Sequence, residues 1–176
     1  MKAHHLASTG FMTALTAVCA WISIPGPVPF TLQTFAVFLA PGLLGGRLGT
    51  MAVGVYLLLG AAGLPVFAGF SGGIGALLGP TGGFLLGFLL TALVMWGAEA
   101  ALGRSGAVFL ASAAAGQALC YLFGSLWYAF GYAGGAAGLP TVLGACVLPF
   151  LLPDAAKLAL AFALRRRLAP VLARGF

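Results

Sequence analysis

The chain has 176 residues, of which 62% are hydrophobic and 6% are charged, and its mean hydropathy is +1.13. A soluble domain carries roughly 25% charged residues, and here no charged residue occurs in residues 6–46, 48–98 or 105–153. The net charge of +6 does not indicate a nucleic-acid-binding protein, because the basic residues form no continuous face. Composition therefore excludes a soluble enzyme and predicts an all-α membrane protein.

Six apolar segments are long enough, or nearly so, to cross a membrane, for which a helix needs about 20 residues. In chain order they are Leu6–Ile24, Leu32–Gly46, Leu48–Gly63, Gly82–Leu102, Gly106–Phe130 and Thr141–Leu168. Proline and glycine mark the breaks, because proline removes a backbone donor and interrupts a helix. We expect residues 1–176 to form a single domain of six transmembrane helices.

The basic residues lie on one side of these predicted spans. Arg47 and Arg104 fall in the second and fourth connections, while the connections after the first, third and fifth spans contain no charge. The remaining basic residues near the termini are Lys2, Arg165, Arg166, Arg167 and Arg174. Every basic residue except Lys157 is thus on one side, and the positive-inside rule predicts that both termini are cytoplasmic.

Small residues recur at a spacing of four in the first predicted span, as Thr13/Ala17 and Thr16/Ala20. Such spacing lets helices approach closely, either within the bundle or against a partner protein. His4 and His5 stand at the edge of this span without a second cluster of ligands, so we expect no metal site there. The three cysteines have no CxxC spacing and are interpreted as small buried hydrophobes: Cys19, Cys120 and Cys146.

The connection Phe67–Phe84 reads FAGFSGGIGALLGPTGGF and contains no charge. Backbone this irregular and apolar is expected to lie partly at membrane depth, packed on protein or lining a cavity. The alternative is a flexible apolar loop outside the membrane. Neither GxGxxG nor GxxxxGK[ST] is present, which excludes a phosphate-binding loop.

Asp154 and Lys157 stand three residues apart in the last predicted span, on one helical face. Counted at 1.5 Å per residue from Arg165, they lie about 16 Å and 12 Å into a membrane core about 30 Å thick. Pro153, reinforced by Pro149, predicts a break in the helix at this point. Ionisable residues at such depth are costly and indicate a functional site. The alternative is an ion pair that only fastens helices.

Counted at the same rise per residue from Arg47 or Arg104, three uncharged polar residues lie at comparable depth, namely Gln33, Gln117 and Tyr121. Trp127 and Tyr128 follow toward the outer interface, where they either anchor the helix or line the site. These residues predict an outward-open cavity for a small amphipathic solute that bears a carboxylate. Glu99, near the surface, is expected to pair with Arg104.

The motifs exclude several kinds of membrane protein. No nucleophile has a base near it and no zinc motif occurs, so we expect no enzyme activity. A single buried acid–base pair does not resemble the charge rings of a channel. No Walker A motif and no internal repeat are present, which favours a substrate-capturing subunit that depends on another protein for energy.

Three segments resemble the BioY family, the biotin-binding S components of energy-coupling-factor (ECF) transporters. They are VPFTLQTFAVFLA at 28–40, GLPVFAGFSGGIGALLGPTGGFLLGF at 63–88 and PFLLPDAAK at 149–157. The resemblance covers nearly the whole chain at matching spacing. It implies a six-helix bundle of the S-component type in the cell (inner) membrane that binds biotin from outside.

The resemblance also implies roles for particular residues. Asp154 and Lys157 correspond to the acid and base that recognise the ligand, and the segment near Phe67–Gly83 corresponds to the element that closes over it. The complete predicted ligand-binding set is Asp154, Lys157, Gln33, Gly79, Thr81, Gly82, Phe67, Tyr121 and Gln117. We expect no catalytic residue, no metal and no cofactor, biotin being the transported ligand.

The implied partners are a transmembrane coupling subunit, two ATP-binding subunits and membrane lipid, with no nucleic acid; action as a homo-oligomer is the alternative. The docking motif Ala-x-x-x-Ala of the family is met only loosely, by the two pairs of the first span, with Ala3/Ala7 at the membrane edge. No arginine lies near GPTGG to assist Lys157 with a carboxylate. The second candidate is an S component or small carrier for another carboxylated vitamin, ion-coupled or not.

Overall fold

The computed structural model describes residues 3–26, 28–134 and 138–174, without the side chains of 170–174. Lys2 and the side chain of Arg174, both used in the topology prediction, lie outside this description. The described chain contains eight α-helices and two short strands: α1 Ala3–Trp21, β1 Ser23–Ile24, β2 Phe30–Thr31, α2 Gln33–Leu44, α3 Gly46–Ala61, α4 Ile74–Leu78, α5 Gly82–Leu102, α6 Gly106–Leu126, α7 Leu139–Cys146 and α8 Leu148–Arg174.

The first predicted span starts and ends three residues too late, because α1 runs from Ala3 to Trp21 and Ile24 belongs to a strand. A residue before proline is restricted to extended conformations, so Ile24 before Pro25 leaves the helix. The chain returns as β2, which pairs antiparallel with β1, Ser23 opposite Thr31. The backbone N–H of Leu32 then donates to the carbonyls of Cys19 and Ile22, both at 3.2 Å. The hairpin thus caps the end of α1.

The turn between α2 and α3 lies two residues before the predicted connection at Arg47, since α2 ends at Leu44 and α3 already begins at Gly46. Gly45 alone makes the turn, at φ +86°, a conformation that other residues rarely adopt. Gly49 then lets α3 pass directly against the backbone of α2. A Cβ at this position would overlap Pro41 and lie 2.7 Å from the carbonyl carbon of Ala40.

Gly49→Ala should therefore lower the midpoint of thermal unfolding, because α2 and α3 must separate to admit the methyl group. Gly54→Ala on the same helix is the matched control, with no heavy atom within 4 Å of the added Cβ. It should leave the midpoint unchanged or raise it, since alanine is favoured over glycine in a helix by about 0.5–1 kcal/mol. Equal midpoints in the two variants would contradict the close approach at Gly49.

Threonine hydroxyls join successive helices of the bundle. Thr13 of α1 donates to the carbonyl of Ala52 in α3 at 3.0 Å. Thr50 of α3 donates to the carbonyl of Ala92 in α5 at 3.0 Å. Thr91 of α5 donates to the carbonyl of Gly116 in α6, again at 3.0 Å. Since apolar surroundings offer these hydroxyls no water, such bonds hold the four helices in register.

The small residues spaced by four in the first predicted span pack inside the bundle. Thr13, Thr16, Ala17 and Ala20 are all buried. Of the two alternatives for these pairs, packing within the bundle is therefore confirmed. All three cysteines are free and buried, as expected.

Helices α5 and α6 form an intimately packed pair. The predicted bounds of α5 agree with the structure, and α6 begins where predicted. A Cβ on Gly87 would lie 2.6 Å from the sulfur of Cys120, so glycine is what lets the helices approach. Helix α6 continues as a π-helical turn, Trp127–Tyr132, two residues beyond the predicted end.

The last predicted span is broken, but not at Pro153. Helix α7 ends at Cys146 and α8 starts at Leu148, with a bend of 42° between them. Pro149 occupies the second position of α8, where a missing N–H breaks no helical hydrogen bond. Pro153 lies inside α8 and the helix continues through it. The break therefore precedes Asp154 by seven residues rather than by one.

Two described helices are long and apolar enough to cross a membrane, namely α5 and α6 with its π-helical turn. A third crossing is obtained when α7 and α8 are taken as one bent span. Helices α2 and α3, with 12 and 16 residues, are apolar but shorter. The arrangement of six spans accordingly stays a prediction.

Candidate functional site

Asp154, in the second turn of α8, is the centre of a buried hydrogen-bond cluster and is only 5% exposed. Its Oδ1 accepts from Lys157 Nζ at 2.6 Å and from Thr34 Oγ1 at 2.9 Å. Its Oδ2 accepts from Gln117 Nε2 at 3.0 Å and from Tyr121 OH at 2.6 Å. A carboxylate has about four acceptor positions. Donors from α2, α6 and α8 therefore use the full hydrogen-bonding capacity of Asp154.

Lys157 lies one turn after Asp154 and is 6% exposed. Its Nζ is also 4.3 Å from the ring centroid of Phe30, a cation–π geometry. An ammonium group has three N–H donors, and in the described part of the chain one of them is bonded, to Asp154. The others are available to an acceptor on a bound molecule.

Both members of the ion pair lie on α8, so the pair itself joins no two helices. The helices are joined by the uncharged donors to Asp154, which come from α2 and α6. Lys157 supplies the counter-charge of Asp154 but itself fastens no second helix. This geometry favours the functional interpretation of the pair over the structural one.

A cavity of about 40 Å³, here named the polar chamber, adjoins this cluster. Its walls combine the four polar side chains around Asp154 with aromatic rings and thiols. The lining residues are Val28, Pro29, Thr31, Thr34, Phe84, Phe88, Gln117, Cys120, Tyr121, Cys146, Phe150, Asp154 and Lys157. The lining of the chamber therefore suits a molecule with a polar end and an apolar body.

A second cavity of about 80 Å³, here named the loop chamber, lies beside the first. It is lined by Val28, Pro29, Thr31, Gln33, Phe67, Ala68, Ser71, Ala76, Thr81, Phe84, Leu85 and Phe88. Five lining residues are shared with the polar chamber, so the two form neighbouring parts of one cleft. The glycine-rich segment forms one wall of the loop chamber through Phe67, Ala68, Ser71, Ala76 and Thr81.

Gln33 does not join the cluster around Asp154, although it was predicted at the same depth. Its Nε2 donates to Tyr56 OH at 2.7 Å, and that hydroxyl donates to the carbonyl of Val66 at 3.1 Å. Gln33 therefore lies in the loop chamber and supports the start of the glycine-rich segment. Its neighbour Thr34 is the residue of α2 that donates to Asp154.

The glycine-rich segment is ordered by specific contacts with the bundle. Phe67 is buried at 2% exposure and packs edge-on against Tyr56, with ring centroids 5.4 Å apart. Trp21 Nε1 donates to the carbonyl of Pro65 at 2.8 Å, and its ring stacks on Phe70. Of the two predictions for this segment, packing on protein and lining a cavity agrees with the structure.

Among the residues that the structure describes as lining the two chambers, Gly79 and Gly82 are absent. Both contribute to the candidate site through their backbone. The carbonyl of Gly79 accepts from Trp127 Nε1 at 3.0 Å. Gly82 begins α5, where a Cβ would overlap the carbonyl of Leu77. Trp127 therefore holds the end of the glycine-rich segment, which neither of its two predicted roles anticipated.

Sequence reasoning missed several residues in or beside the polar chamber, among them Thr34, Phe30 and Phe150. Thr34 is a polar residue within an apolar helix, and the depth argument applied to Gln33 would have found it. Phe30 and Phe150, whose ring centroids are 5.9 Å apart, lie more than 100 residues apart in the chain. No signal in the sequence associates them.

Glu99 is paired as predicted, although its strongest contact is a different one. Arg104 Nε lies 3.9 Å from Glu99 Oε2. The same oxygen accepts from the backbone N–H of Gly46 at 3.0 Å. Glu99 thus binds an unpaired donor at the start of α3 and connects the α2–α3 turn with α5.

The chain is similar in sequence to one family model and to several relatives that carry the same family name. A family model described as the BioY family matches residues 1–174. The biotin transporter BioY of Thermotoga maritima is 56% identical over 120 residues, covering 68% of this chain and 70% of that protein. The probable biotin transporter BioY of Pyrococcus horikoshii is 43% identical over 171 residues, covering 96% and 98%.

Among solved structures, the chain is similar to the S-component for biotin from an ECF-type ABC transporter, a crystal structure at 2.1 Å. The TM-score is 0.86 at 31% sequence identity, covering 95% of this chain and 91% of that one. The similarity therefore extends over the helices that build both chambers.

Proposed function

The chain belongs to the BioY family, and on this premise we propose that it is the biotin-binding S component of an ECF transporter. The observation that carries the proposal is the polar chamber, where a buried acid–base pair meets an apolar cleft. The family consists of transporter components rather than enzymes. Biotin is accordingly the transported ligand and not a cofactor.

Biotin combines a cyclic urea, an apolar bicyclic body and a carboxylate. The unbonded N–H groups of Lys157 suit either the urea carbonyl or the carboxylate, both of which are acceptors. The apolar body fits between Phe84, Phe88 and Phe150, which line the polar chamber. The loop chamber, with Gln33, Phe67 and Thr81 in its wall, receives the remaining part of the ligand.

The segment Phe67–Gly83 is the element that we propose closes over the ligand. Its first part is attached through Phe67 and its last part through the bond from Trp127 to the carbonyl of Gly79. Between these attachments Ile74 and Leu78 are each 64% exposed. A segment attached at both ends and exposed between them can move over the cleft without leaving the bundle.

The partners that we propose are a transmembrane coupling subunit and two ATP-binding subunits. The two small-residue pairs that loosely match the docking motif are buried in the bundle and so present no surface to a partner. Four other small residues of α1 are exposed and follow one helical face: Ala3, Ala7, Gly10 and Ala14. Such a face permits close approach of a partner helix in the membrane and supports the association.

The proposed setting is the cell (inner) membrane, with six crossings by a single domain and both termini cytoplasmic. One end of the bundle supports this topology. Arg165 donates to the carbonyl of Arg104 at 2.9 Å, and Arg104 donates to the carbonyl of Leu43 at 2.8 Å. The two charged turns and the end of α8 thus meet, and a common basic end is typical of a cytoplasmic face.

Titration of the purified protein with biotin, thiamine and riboflavin tests the proposed function. We expect saturable 1:1 binding of biotin and none of the other two at the same concentrations, because neither offers a urea together with a carboxylate. Tighter binding of thiamine or riboflavin than of biotin would overturn the assignment. It would favour an S component for another vitamin.

A further inference from the structure

Helix α4, Ile74–Leu78, here named the flap, lies within the glycine-rich segment. Ala76 lines the loop chamber, whereas Ile74 and Leu78 are each 64% exposed. In the part of the chain that the structure describes, no hydrogen bond joins the flap to another helix. Apart from the packing of Ala76 and Leu77 on the core, the position of the flap therefore depends on attachments at its two ends.

The part of the segment that precedes the flap is fixed to α3 by several independent contacts. The ring of Phe67 lies directly over Gly60, where a Cβ would overlap it. The backbone N–H of Gly73 donates to the carbonyl of Gly60 at 2.7 Å. Tyr56 OH donates to the carbonyl of Val66 at 3.1 Å. Gly73 precedes the flap at φ +88°, a conformation that glycine adopts readily, so it can act as the hinge between the fixed part and the flap.

One side-chain hydrogen bond holds the other end of the flap in the described chain. Trp127 Nε1 donates to the carbonyl of Gly79, the residue that follows the flap, at 3.0 Å. The same carbonyl also accepts from the backbone N–H of Gly82 at 3.1 Å. Loss of the bond from Trp127 would therefore free this end without leaving an unpaired acceptor.

The indole of Trp127 is itself firmly placed. Gly83 leaves room for it against the start of α5, because a Cβ on Gly83 would overlap the Cβ of Trp127. Its ring centroid is 6.4 Å from that of Phe123 on the same helix. Trp127 also begins the π-helical turn of α6, and such turns are frequent at functional sites. When the bond to Gly79 breaks, the flap is thus the partner that moves.

We propose that the hydrogen bond from Trp127 to Gly79 is a latch on the flap that sets how fast the ligand enters and leaves the loop chamber. The inference rests on the proposed function, in which the glycine-rich segment closes over biotin. Trp127 lines neither chamber among the described residues, so it is a positioning residue that acts through the flap. Because the latch holds the flap with and without ligand, its loss should accelerate entry and exit alike.

Trp21 offers a matched control at the fixed part of the segment. Its Nε1 donates to the carbonyl of Pro65 at 2.8 Å, and its ring stacks on Phe70. Trp21→Phe removes an indole hydrogen bond to a backbone carbonyl, as Trp127→Phe does, and keeps an aromatic ring. The contacts of Phe67 and Gly73 with α3 remain in this variant, so the flap should not be released.

The test measures association and dissociation rate constants of radiolabelled biotin for wild type and both variants. Trp127→Phe should raise both rate constants by about 2- to 10-fold, the factor that corresponds to the net free energy of one hydrogen bond. The dissociation constant should change by much less, since the two factors cancel. Trp21→Phe should keep both rate constants of wild type.

Hydrogen exchange provides a second measurement, because it reports local opening even without ligand. In the ligand-free proteins, amides of the flap should exchange faster in Trp127→Phe than in Trp21→Phe, by a factor similar to that of the rate constants. In wild type, saturating biotin should slow exchange in the flap more than in residues 65–73, a comparison that requires no variant.

Three results would overturn the inference while leaving the proposed function intact. The first is a folded Trp127→Phe with the rate constants of wild type, and the second is equal acceleration in both variants. The third is a wild-type flap that biotin protects no more than residues 65–73, which would exclude the flap as the moving part. Absence of biotin binding to wild type would instead remove the proposed function, and exchange in the ligand-free variants would still test the latch.

Discussion

Lys157→Met should bind biotin at least about 30-fold more weakly than wild type, corresponding to the 2–5 kcal/mol typical of truncating a buried, hydrogen-bonded charge. Methionine keeps the length and apolar stem of lysine but removes the three N–H donors. The ligand then loses its donor in the polar chamber. Asp154 keeps bonds from Thr34, Gln117 and Tyr121 but has no counter-charge.

Arg167→Met is the matched control for this variant. Arg167 lies on the same helix, is exposed, and contributes the same charge without belonging to either chamber. Its replacement should leave the dissociation constant of biotin unchanged. If Lys157→Met bound biotin as tightly as Arg167→Met does, Lys157 would not contact the ligand and the site would lie elsewhere.

Asp154→Asn should lower the free energy of unfolding by about 3–5 kcal/mol, the usual cost of leaving one member of a buried ion pair without its partner. Lys157, at 6% exposure, would carry an uncompensated positive charge. The new amide nitrogen, itself a donor, would also face N–H or O–H donors whose hydrogen bonds the carboxylate oxygen had accepted. We expect a lower midpoint of thermal unfolding and weaker binding of biotin.

The double variant Asp154→Asn/Lys157→Met separates stability from binding. It contains no buried charge, so most of the lost stability should return, whereas binding should not, since the donor on Lys157 is still missing. Thermal unfolding and biotin titration of the same preparations measure both. Recovery of binding together with stability would show that the pair is only structural.

The limits of prediction are clearest at the helix ends. Helix α5 was predicted to the residue because Pro80 precedes it and Gly103 follows it at φ +80°, both strong local signals. The break near Asp154 was assigned to the wrong proline. A proline in the first turn is compatible with a helix, and only the bend between α7 and α8 reveals which proline starts one.

The candidate site shows the same division between depth and direction. Gln33 was placed correctly along α2 but not around it. Nine residues of this 12-residue helix are buried, and a helix that is apolar all round offers no polar face from which direction can be inferred. Adjacent residues differ by about 100° around the axis, which separates Gln33 in the loop chamber from Thr34 on Asp154.

The sequence by itself determined the class of protein, placed the basic residues on one side of its predicted topology and singled out the two buried ionisable residues of the candidate site. These properties follow from composition and position along the chain, because a charge in an otherwise apolar segment is evident without knowledge of the fold. Only the tertiary structure decided how the groups share hydrogen bonds. It filled every acceptor position of Asp154, moved Gln33 to another chamber and left Gln117 Oε1 unpaired. Such outcomes depend on how helices α2, α6 and α8 are rotated against one another, and this rotation is set by packing among residues distant in the chain.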